Sequence, residues 1–246
     1  MRRWLSKLDD ALLVVVLAGG SWWGYGQLTD TEAPAADQRA VAGADASSGD
    51  TQAERTHAID LLRSLEVKWR APKTGYRRDA FGQRWADIDG NGCDTRNDVL
   101  KRDLERVVFR PGSNACVVES GVLIDPYTAS RIDFVKRNAT STAVQIDHAV
   151  ALSDAWQKGA QTWTDEKRLQ FANDPLNLLA IGDAANRQKG DSDAASWLPA
   201  NKAFRCEYVA RQVRVKAKDG VWVTEAERDQ IERVLEMCPG QPPPAA

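Results

Sequence analysis

The sequence predicts an α+β fold made of several helices and short antiparallel strands. Apolar residues recur at helical spacing in some segments, whereas other apolar runs are short and rich in valine, as strands are. Turn residues such as Asp-Pro and Gly-Asp separate the two kinds of segment. We therefore expect helices and strands to be mixed along one folded region.

The first half of that region contains four predicted elements. Glu54–Trp69 and Asn97–Val107 are predicted helices, because their apolar residues recur near helical spacing and polar residues open the second one. Val117–Val118 and Gly121–Ile124 are short apolar runs and are predicted strands. The second of these strands ends at an Asp-Pro turn.

The second half continues the alternation. A strand is predicted over Ala143–Val150, helices over Ser153–Gln157 and Thr164–Asn173, a short strand over Leu178–Ile181, and a helix from near Ala184. Three further segments complete the chain: strands over Val213–Val215 and Val221–Val223, and a helix over Glu225–Met237.

The two ends of the chain differ in composition from its middle. Basic residues precede an apolar run at Ala11–Leu17, which predicts that 1–28 is a signal peptide or an N-terminal membrane anchor. Residues 29–53 are mostly Ala, Asp, Ser, Gly and Pro and predict a flexible tether. The folded domain is then 54–238, followed by a disordered tail at 239–246. We expect the protein to be extracellular or on the outer face of the cell membrane.

The four cysteines support export. Cys93, Cys116, Cys206 and Cys238 form an even set without CxxC spacing, which disfavours a zinc ribbon. Three disulfide pairings are possible in principle. We favour Cys93 with Cys116 and Cys206 with Cys238, because each pair closes a local loop, and four free thiols are the alternative.

Charge and histidine content exclude two classes of protein. With 33 Lys+Arg against 35 Asp+Glu, the formal charge is -2, which argues against a broadly polybasic nucleic-acid-binding surface. It still allows an enzyme that holds phosphates locally. His57 and His148 are the two histidines, so a zinc site built on several histidines is excluded.

Two segments carry the residues with catalytic chemistry. In VQIDHAVALSDAW, Asp147 and His148 end an apolar strand, where they converge on one site only if the strand bends. In NDPLNLLAIGDAANRQKGDSD, Asn177 opens a second strand, and Asn186 and Lys189 follow on a helix. Together they predict a ββα unit in which an acid and an amide supply oxygen ligands to one hard cation.

These segments, with DIDGNGCDTRNDVL, GVLIDPYTASRI and KGDSDAASWLP, resemble a bacterial secreted family of HNH endonucleases. This is the His-Me finger or ββα-metal group, related to the C-terminal nuclease part of GmrSD-type restriction enzymes. The resemblance covers about residues 58–238, with asparagine in place of the last histidine of the pattern. It implies an HNH core with additional helices, and a metal-dependent endonuclease that cleaves DNA with low sequence specificity. Whether RNA is also cleaved stays open.

The resemblance also implies the roles of individual residues. His148 is the general base, and Asp147 and Asn186 bind one divalent cation, Mg²⁺ in the first place and otherwise Mn²⁺ or Ca²⁺. Asn177 orients the histidine. Lys189, on the same helical face as Asn186, is predicted to contact phosphate.

The segment around Cys93 allows two interpretations. Asp87, Asp89 and Asn91 stand at positions 1, 3 and 5 of a calcium-loop pattern, which allows a structural Ca²⁺ there. Alternatively the loop borders the active site and directs Arg96 at a phosphate. Arg78, beside a tyrosine, is a second candidate for substrate binding, with a solvated turn as its alternative.

We expect a monomer whose partner is its nucleic-acid substrate, with membrane anchoring through the N-terminal segment as an option. Two other functions compete with this one. An antibacterial effector nuclease would share the chemistry, but the sequence shows no recognisable delivery domain. A cell-surface binding module without catalysis would have no need of Asp147, His148 and Asn186 together.

Overall fold

The structure, a computed structural model, describes residues 57–136 and 142–238. The predicted signal or anchor segment 1–28, the tether 29–53 and the tail 239–246 lie outside the described residues. No helix in the two described ranges is both long enough and apolar enough to span a membrane.

The described residues form helices and strands of the predicted α+β type. The helices are α1 (57–64), α2 (Thr95–Asp103), α3 (Leu152–Gln157), α4 (Asp165–Asn173), α5 (Asp183–Lys189), α6 (Arg205–Asp219) and α7 (Glu225–Glu236). The strands are β1 (Glu105–Phe109), β2 (Val118–Ile124), β3 (Arg131–Val135), β4 (Val144–His148) and β5 (Leu178–Gly182). Short 3-10 helices lie at Arg78–Phe81, Ala160–Thr162 and Lys202–Phe204.

The strands form two small antiparallel sheets, as predicted. One sheet has the order β1-β2-β3 and the other pairs β4 with β5. Helix α2 packs on both, and Val99 and Leu100 meet Leu123 of β2 and Leu178 of β5 in a shared apolar cluster. Gly121 of β2 allows this close packing, since a Cβ there would lie 2.8 Å from the Leu104 side chain.

A second apolar cluster is built by the helices at the two ends of the domain. Leu62 of α1, Tyr208 and Val213 of α6, and Ile231 of α7 are fully buried in it, together with Tyr127 from the turn after β2. The strand predicted over 213–215 is therefore wrong. Its Val-Arg-Val alternation is a three-residue fragment of the 15-residue helix α6, in which every residue from Tyr208 to Val213 is buried.

Three other predicted elements are corrected. Helix α2 begins at Thr95, capped by the Asp94 side chain, and ends at Asp103, so the end of the helix predicted over 97–107 is instead strand β1. The strand predicted at 221–223 is reduced to an isolated bridge between Val67 and Val223, and this bridge lies where helix α1 was expected to continue. Strand β3 was missed because Phe134 is its one buried residue.

Both favoured disulfides are present. Cys93 pairs with Cys116, which joins the loop before α2 to the segment before β2, and Cys206 pairs with Cys238, which joins the start of α6 to the end of α7. One disulfide thus lies beside the cluster around α2, and the other lies beside the cluster formed by α1, α6 and α7. The alternative of four free thiols is excluded, as the described residues contain no free cysteine.

Replacing both Cys206 and Cys238 by alanine is expected to lower the free energy of unfolding by about 3–4 kcal/mol, because the bridge closes a loop with a sequence separation of 32. Urea denaturation with and without dithiothreitol measures this. The parent should lose stability in reductant, and the double variant should lose less. A parent midpoint that does not change in reductant would contradict the expectation.

Candidate active site

Asparagine 177 fixes the turn that follows β4. Its side-chain oxygen accepts a hydrogen bond from the Val150 N–H at 2.8 Å, and its side-chain nitrogen donates to the Val150 carbonyl at 3.2 Å. Its backbone carbonyl accepts from the Ala149 N–H at 2.7 Å. Asn177 is completely buried and stands just before Leu178, the partner of His148 in the β4–β5 register. The two residues that follow His148 are thereby held in place.

His148 is buried, with 5% of its surface exposed. Its Nε2 lies 2.8 Å from the Ala172 carbonyl oxygen. A carbonyl can only accept, so Nε2 carries the hydrogen and Nδ1 has the free lone pair. Burial, followed by the cations Arg78, Lys189 and Arg84, lowers the pKa of His148 to about 3. The imidazole is therefore neutral near pH 7, the form that a general base requires.

Asp147 has two fixed partners. The Tyr127 hydroxyl donates to its Oδ2 at 2.7 Å, and the Lys189 ammonium lies 3.1 Å from Oδ1 and 3.0 Å from Oδ2. Lys189 also donates to the His148 carbonyl at 2.8 Å, and its side chain is 0% exposed. The ammonium therefore neutralises Asp147 inside the protein. The predicted contact of Lys189 with phosphate stays a prediction.

Tyr127 is a site residue that the sequence did not reveal. It lies in the Asp-Pro-Tyr turn, and nothing local distinguishes it from a purely structural residue. Burial, and then the charge of Asp147, raise its pKa well above the ordinary value, so the hydroxyl stays a donor. Tyr208 packs edge-on against its ring at 5.5 Å, and Gln212 donates both to the Tyr208 hydroxyl and to the Ala149 carbonyl. Helix α6 therefore supports the β4 end from behind.

A cavity of about 320 Å³ opens beside the end of β4. Asp147, His148, Asn186 and Arg78 all line it, so the structure brings together four of the predicted site residues. Asp147 and His148 are adjacent in a strand, yet both reach this one cavity. Strands β4 and β5 pair with each other across the intervening helices α3 and α4, and helix α5 directly follows β5. This ββα arrangement is compatible with an HNH-like domain.

Arg96 lies near this cavity but does not line it. Its guanidinium donates to the carbonyl of Val144, at the other end of β4, at 3.2 Å. Burial lowers its pKa, and Arg84 contributes in the same direction. The Cys93–Cys116 disulfide and the Asp94 cap of α2 hold the segment that carries it.

The loop with the calcium-like pattern uses its oxygens internally. Asp87 accepts from the N–H groups of Gly90, Asn91 and Gly92, and the Asn91 side-chain oxygen accepts from the Cys93 N–H. Asp89 accepts from Asn91. Across residues 57–136 and 142–238, no group of three or more His, Cys, Asp and Glu side chains is arranged to hold a metal ion. The predicted structural Ca²⁺ at Asp87, Asp89 and Asn91 is therefore not supported by the structure.

The active-site cavity offers a partial set of metal ligands. Asp147 and Asn186 both line the cavity, and Asp147 shares its carboxylate with Lys189 and Tyr127. Mg²⁺ keeps several waters and is commonly bound by one or two protein oxygens together with substrate phosphate. These two residues fit such a loosely held, hydrated ion and do not form a closed protein cage.

The domain also contains a buried cluster of ion pairs that was not predicted from the sequence. Lys158 contacts Asp154, Asp193 and Glu227 at 2.8, 2.8 and 2.6 Å, and Lys216 contacts Asp154 and Glu227 at 3.4 and 2.8 Å. At the edge of the cluster, Arg70 forms ion pairs with Asp154 and Asp193. The cluster joins α3, α6 and α7 to the segment after α5, so it connects the site to the helical part of the domain.

Comparison with known proteins agrees with this description. Residues 94–234 match the family described as "GmrSD restriction endonucleases, C-terminal domain". An "Uncharacterized secreted protein" of Arthroderma benhamiae is 38% identical over 186 residues, which is 74% of this chain and 84% of that protein. No solved structure matches the chain significantly. The family match covers more than half of the sequence, and the chain therefore belongs to the GmrSD restriction endonuclease C-terminal domain family.

Proposed function

We propose that the protein is an exported, metal-dependent endonuclease that hydrolyses phosphodiester bonds of DNA with low sequence specificity, and the test below decides whether it also cleaves RNA. Its membership of a restriction endonuclease domain family supports nuclease activity in general. The HNH-type chemistry depends on one observation. A neutral histidine, held by the Ala172 carbonyl through Nε2, lines the same cavity as Asp147 and Asn186.

His148 is the general base in this proposal. Its Nδ1 takes a proton from the attacking water, and the Nε2 hydrogen bond to Ala172 holds the ring and its tautomer during the transfer. Asn177 fixes the turn directly after His148, so it is a positioning residue. Lys189 and Tyr127 position Asp147 in the same way, by binding its two oxygens.

Asp147 and Asn186 would hold the divalent cation, Mg²⁺ in the first place and otherwise Mn²⁺ or Ca²⁺. When bound, such an ion neutralises phosphate charge and stabilises the leaving oxygen. Arg78 on the cavity wall and Arg96 at the other end of β4 add positive charge along the substrate backbone.

Three observations support export to the extracellular space or the outer face of the membrane. The N-terminal sequence has basic residues before an apolar run, the domain carries two disulfides, and the relative from Arthroderma benhamiae is named a secreted protein. Disulfides of this kind persist in oxidising compartments.

The purified protein is expected to nick supercoiled plasmid with at least one of Mg²⁺, Mn²⁺ and Ca²⁺ and to be inactive in EDTA. Gel analysis of plasmid and of a folded RNA, with each ion in turn, measures both the ion requirement and the substrate range. EDTA followed by excess ion is the control for reversible metal loss. Binding of nucleic acid without cleavage under every ion would contradict the proposal and favour a binding module.

A further inference from the structure

Arg84 lies on the wall of the active-site cavity although no motif of the sequence pointed to it. It lines the cavity with His148, and so does Arg78. The same two arginines and His148 also line a smaller pocket. We call Arg78 and Arg84 the arginine pair. The pair therefore shares both pockets with His148.

Neither guanidinium of the arginine pair has a hydrogen-bond or ion-pair partner among residues 57–136 and 142–238. Most other arginines of these ranges are paired. Arg77, directly beside Arg78, pairs with Asp79 at 3.4 Å, and Arg187 on α5 pairs with Asp183. Each guanidinium carries five N–H donors, so the pair brings unused donors to the cavity.

The carboxylates of the cavity are already neutralised by other groups. Asp147 is bound by Lys189, and Asp191 is bound by Lys73 at 2.7 Å. Neither of these carboxylates forms an ion pair with Arg78 or Arg84. Burial, followed by the nearby positive charge of Arg84, lowers the pKa of Arg78, and the weaker attraction of Asp147 acts in the opposite direction. An anion bound between the two guanidiniums would be attracted by both of them.

The backbone on both sides of Arg84 has unusual φ angles. Gly82 and Trp85 both have left-handed φ angles, 73° and 59°, and such an angle is uncommon for a tryptophan. A Cβ at Gly82 would lie 2.9 Å from the Leu169 side chain, so the loop runs directly against α4. Unusual backbone of this kind persists where the surrounding structure fixes it, and it concentrates at binding sites. The backbone is therefore constrained on both sides of Arg84, which lines the cavity.

We propose that Arg84, together with Arg78, binds a backbone phosphate of the nucleic-acid substrate in the cavity beside His148. This rests on the proposed nuclease function and adds a substrate-binding residue to it. Arginine suits the task because its planar fork matches two phosphate oxygens at once. The phosphate lies next to the base Nδ1 and opposite the oxygens of Asp147 and Asn186.

The test compares Arg84→Ala and Arg84→Lys with Arg77→Ala, the matched control. Arg77 is exposed, lies one residue from Arg78 and does not line the cavity. Binding of a short fluorescein-labelled single-stranded DNA is measured by anisotropy in EDTA over a range of salt. KM and kcat for plasmid are measured with the activating ion, and melting temperatures confirm that each variant is folded.

Arg84→Ala is expected to raise Kd and KM at least about tenfold and to reduce the salt slope of log Kd by about 1. Arg84→Lys should retain the salt slope but bind more weakly than the parent, and Arg77→Ala should match the parent. Kd, KM and salt slope all unchanged in Arg84→Ala would overturn the inference while leaving nuclease activity intact. If the parent binds through Arg84 but no ion supports cleavage, the proposed function fails and phosphate binding stands. A parent that neither binds nor cleaves overturns both.

Discussion

Replacing His148 by alanine is expected to reduce the rate of plasmid cleavage by a factor of about 10²–10⁴, the usual contribution of a positioned general base. His148 lines the cavity, and its Nδ1 keeps a free lone pair because Nε2 donates to the Ala172 carbonyl. Alanine removes the proposed proton acceptor and leaves Asp147, Asn186 and Arg78 in place. Initial rates of nicking at saturating activating ion measure the effect.

The sequence supplies a matched control for this variant. His57 is the second of its two histidines, and it lies exposed on α1. His57→Ala should therefore cleave at the parent rate. His148→Gln tests whether lost packing explains the defect, since it keeps a side chain of similar length with an amide that can donate to Ala172. Cleavage by His148→Ala at the parent rate, with the protein folded, would remove His148 from the mechanism.

The second large effect concerns stability. Lys158→Met is expected to lower the free energy of unfolding by about 3–5 kcal/mol, because removing one member of a buried ion cluster leaves its partners uncompensated. Lys158 is completely buried, and Asp154, Asp193 and Glu227 all lie within 2.8 Å of its ammonium. Burial lowers its pKa, but these carboxylates outweigh that effect and raise it overall.

Lys68→Met is the control for this experiment. Lys68 pairs with Glu66 at the surface, and the two side chains are 50% and 59% exposed. An exposed pair contributes about 0–1 kcal/mol, so the control should unfold close to the parent. Urea denaturation at one salt concentration measures both variants. Equal losses for Lys158→Met and Lys68→Met would show that the buried ion cluster adds nothing to stability.

The elements around the site were predictable because their signals are local. Strands β4 and β5 are apolar runs bounded by turns, and helices α3 and α4 lie close to the predicted bounds. Secondary-structure prediction failed where a few residues have the apolar pattern of a different element. The Val-Arg-Val of 213–215 looks like a strand until the full helix α6 is considered, and residues 105–107 continue the apolar spacing of α2 although they form β1.

The site residues that belong to a sequence motif could be predicted. Those that come from distant parts of the chain could not. His148, Asp147 and Asn186 were found from their order along the chain, and they do share one cavity. Tyr127 is 20 residues from Asp147 in sequence and reaches it only through the fold. Lys189 was predicted only to contact phosphate, and its burial against Asp147 depends on how α5 packs on β4.

Residues outside 144–189 make hydrogen bonds and ion pairs to the site. These contacts limit whether the segment 144–189 could be transferred to another protein. Strands β4 and β5 and helix α5 lie within the continuous stretch 144–189. Their buried polar groups nevertheless find partners outside it: Tyr127 for Asp147, Gln212 for the Ala149 carbonyl, and Lys216 for Asp154. A graft of 144–189 alone would bury Asp147 without its Tyr127 donor and Asp154 without Lys216, although Lys189 and Lys158 would remain. The segment 144–189 is thus not self-sufficient, and a graft has to include the face of α6 that supports it.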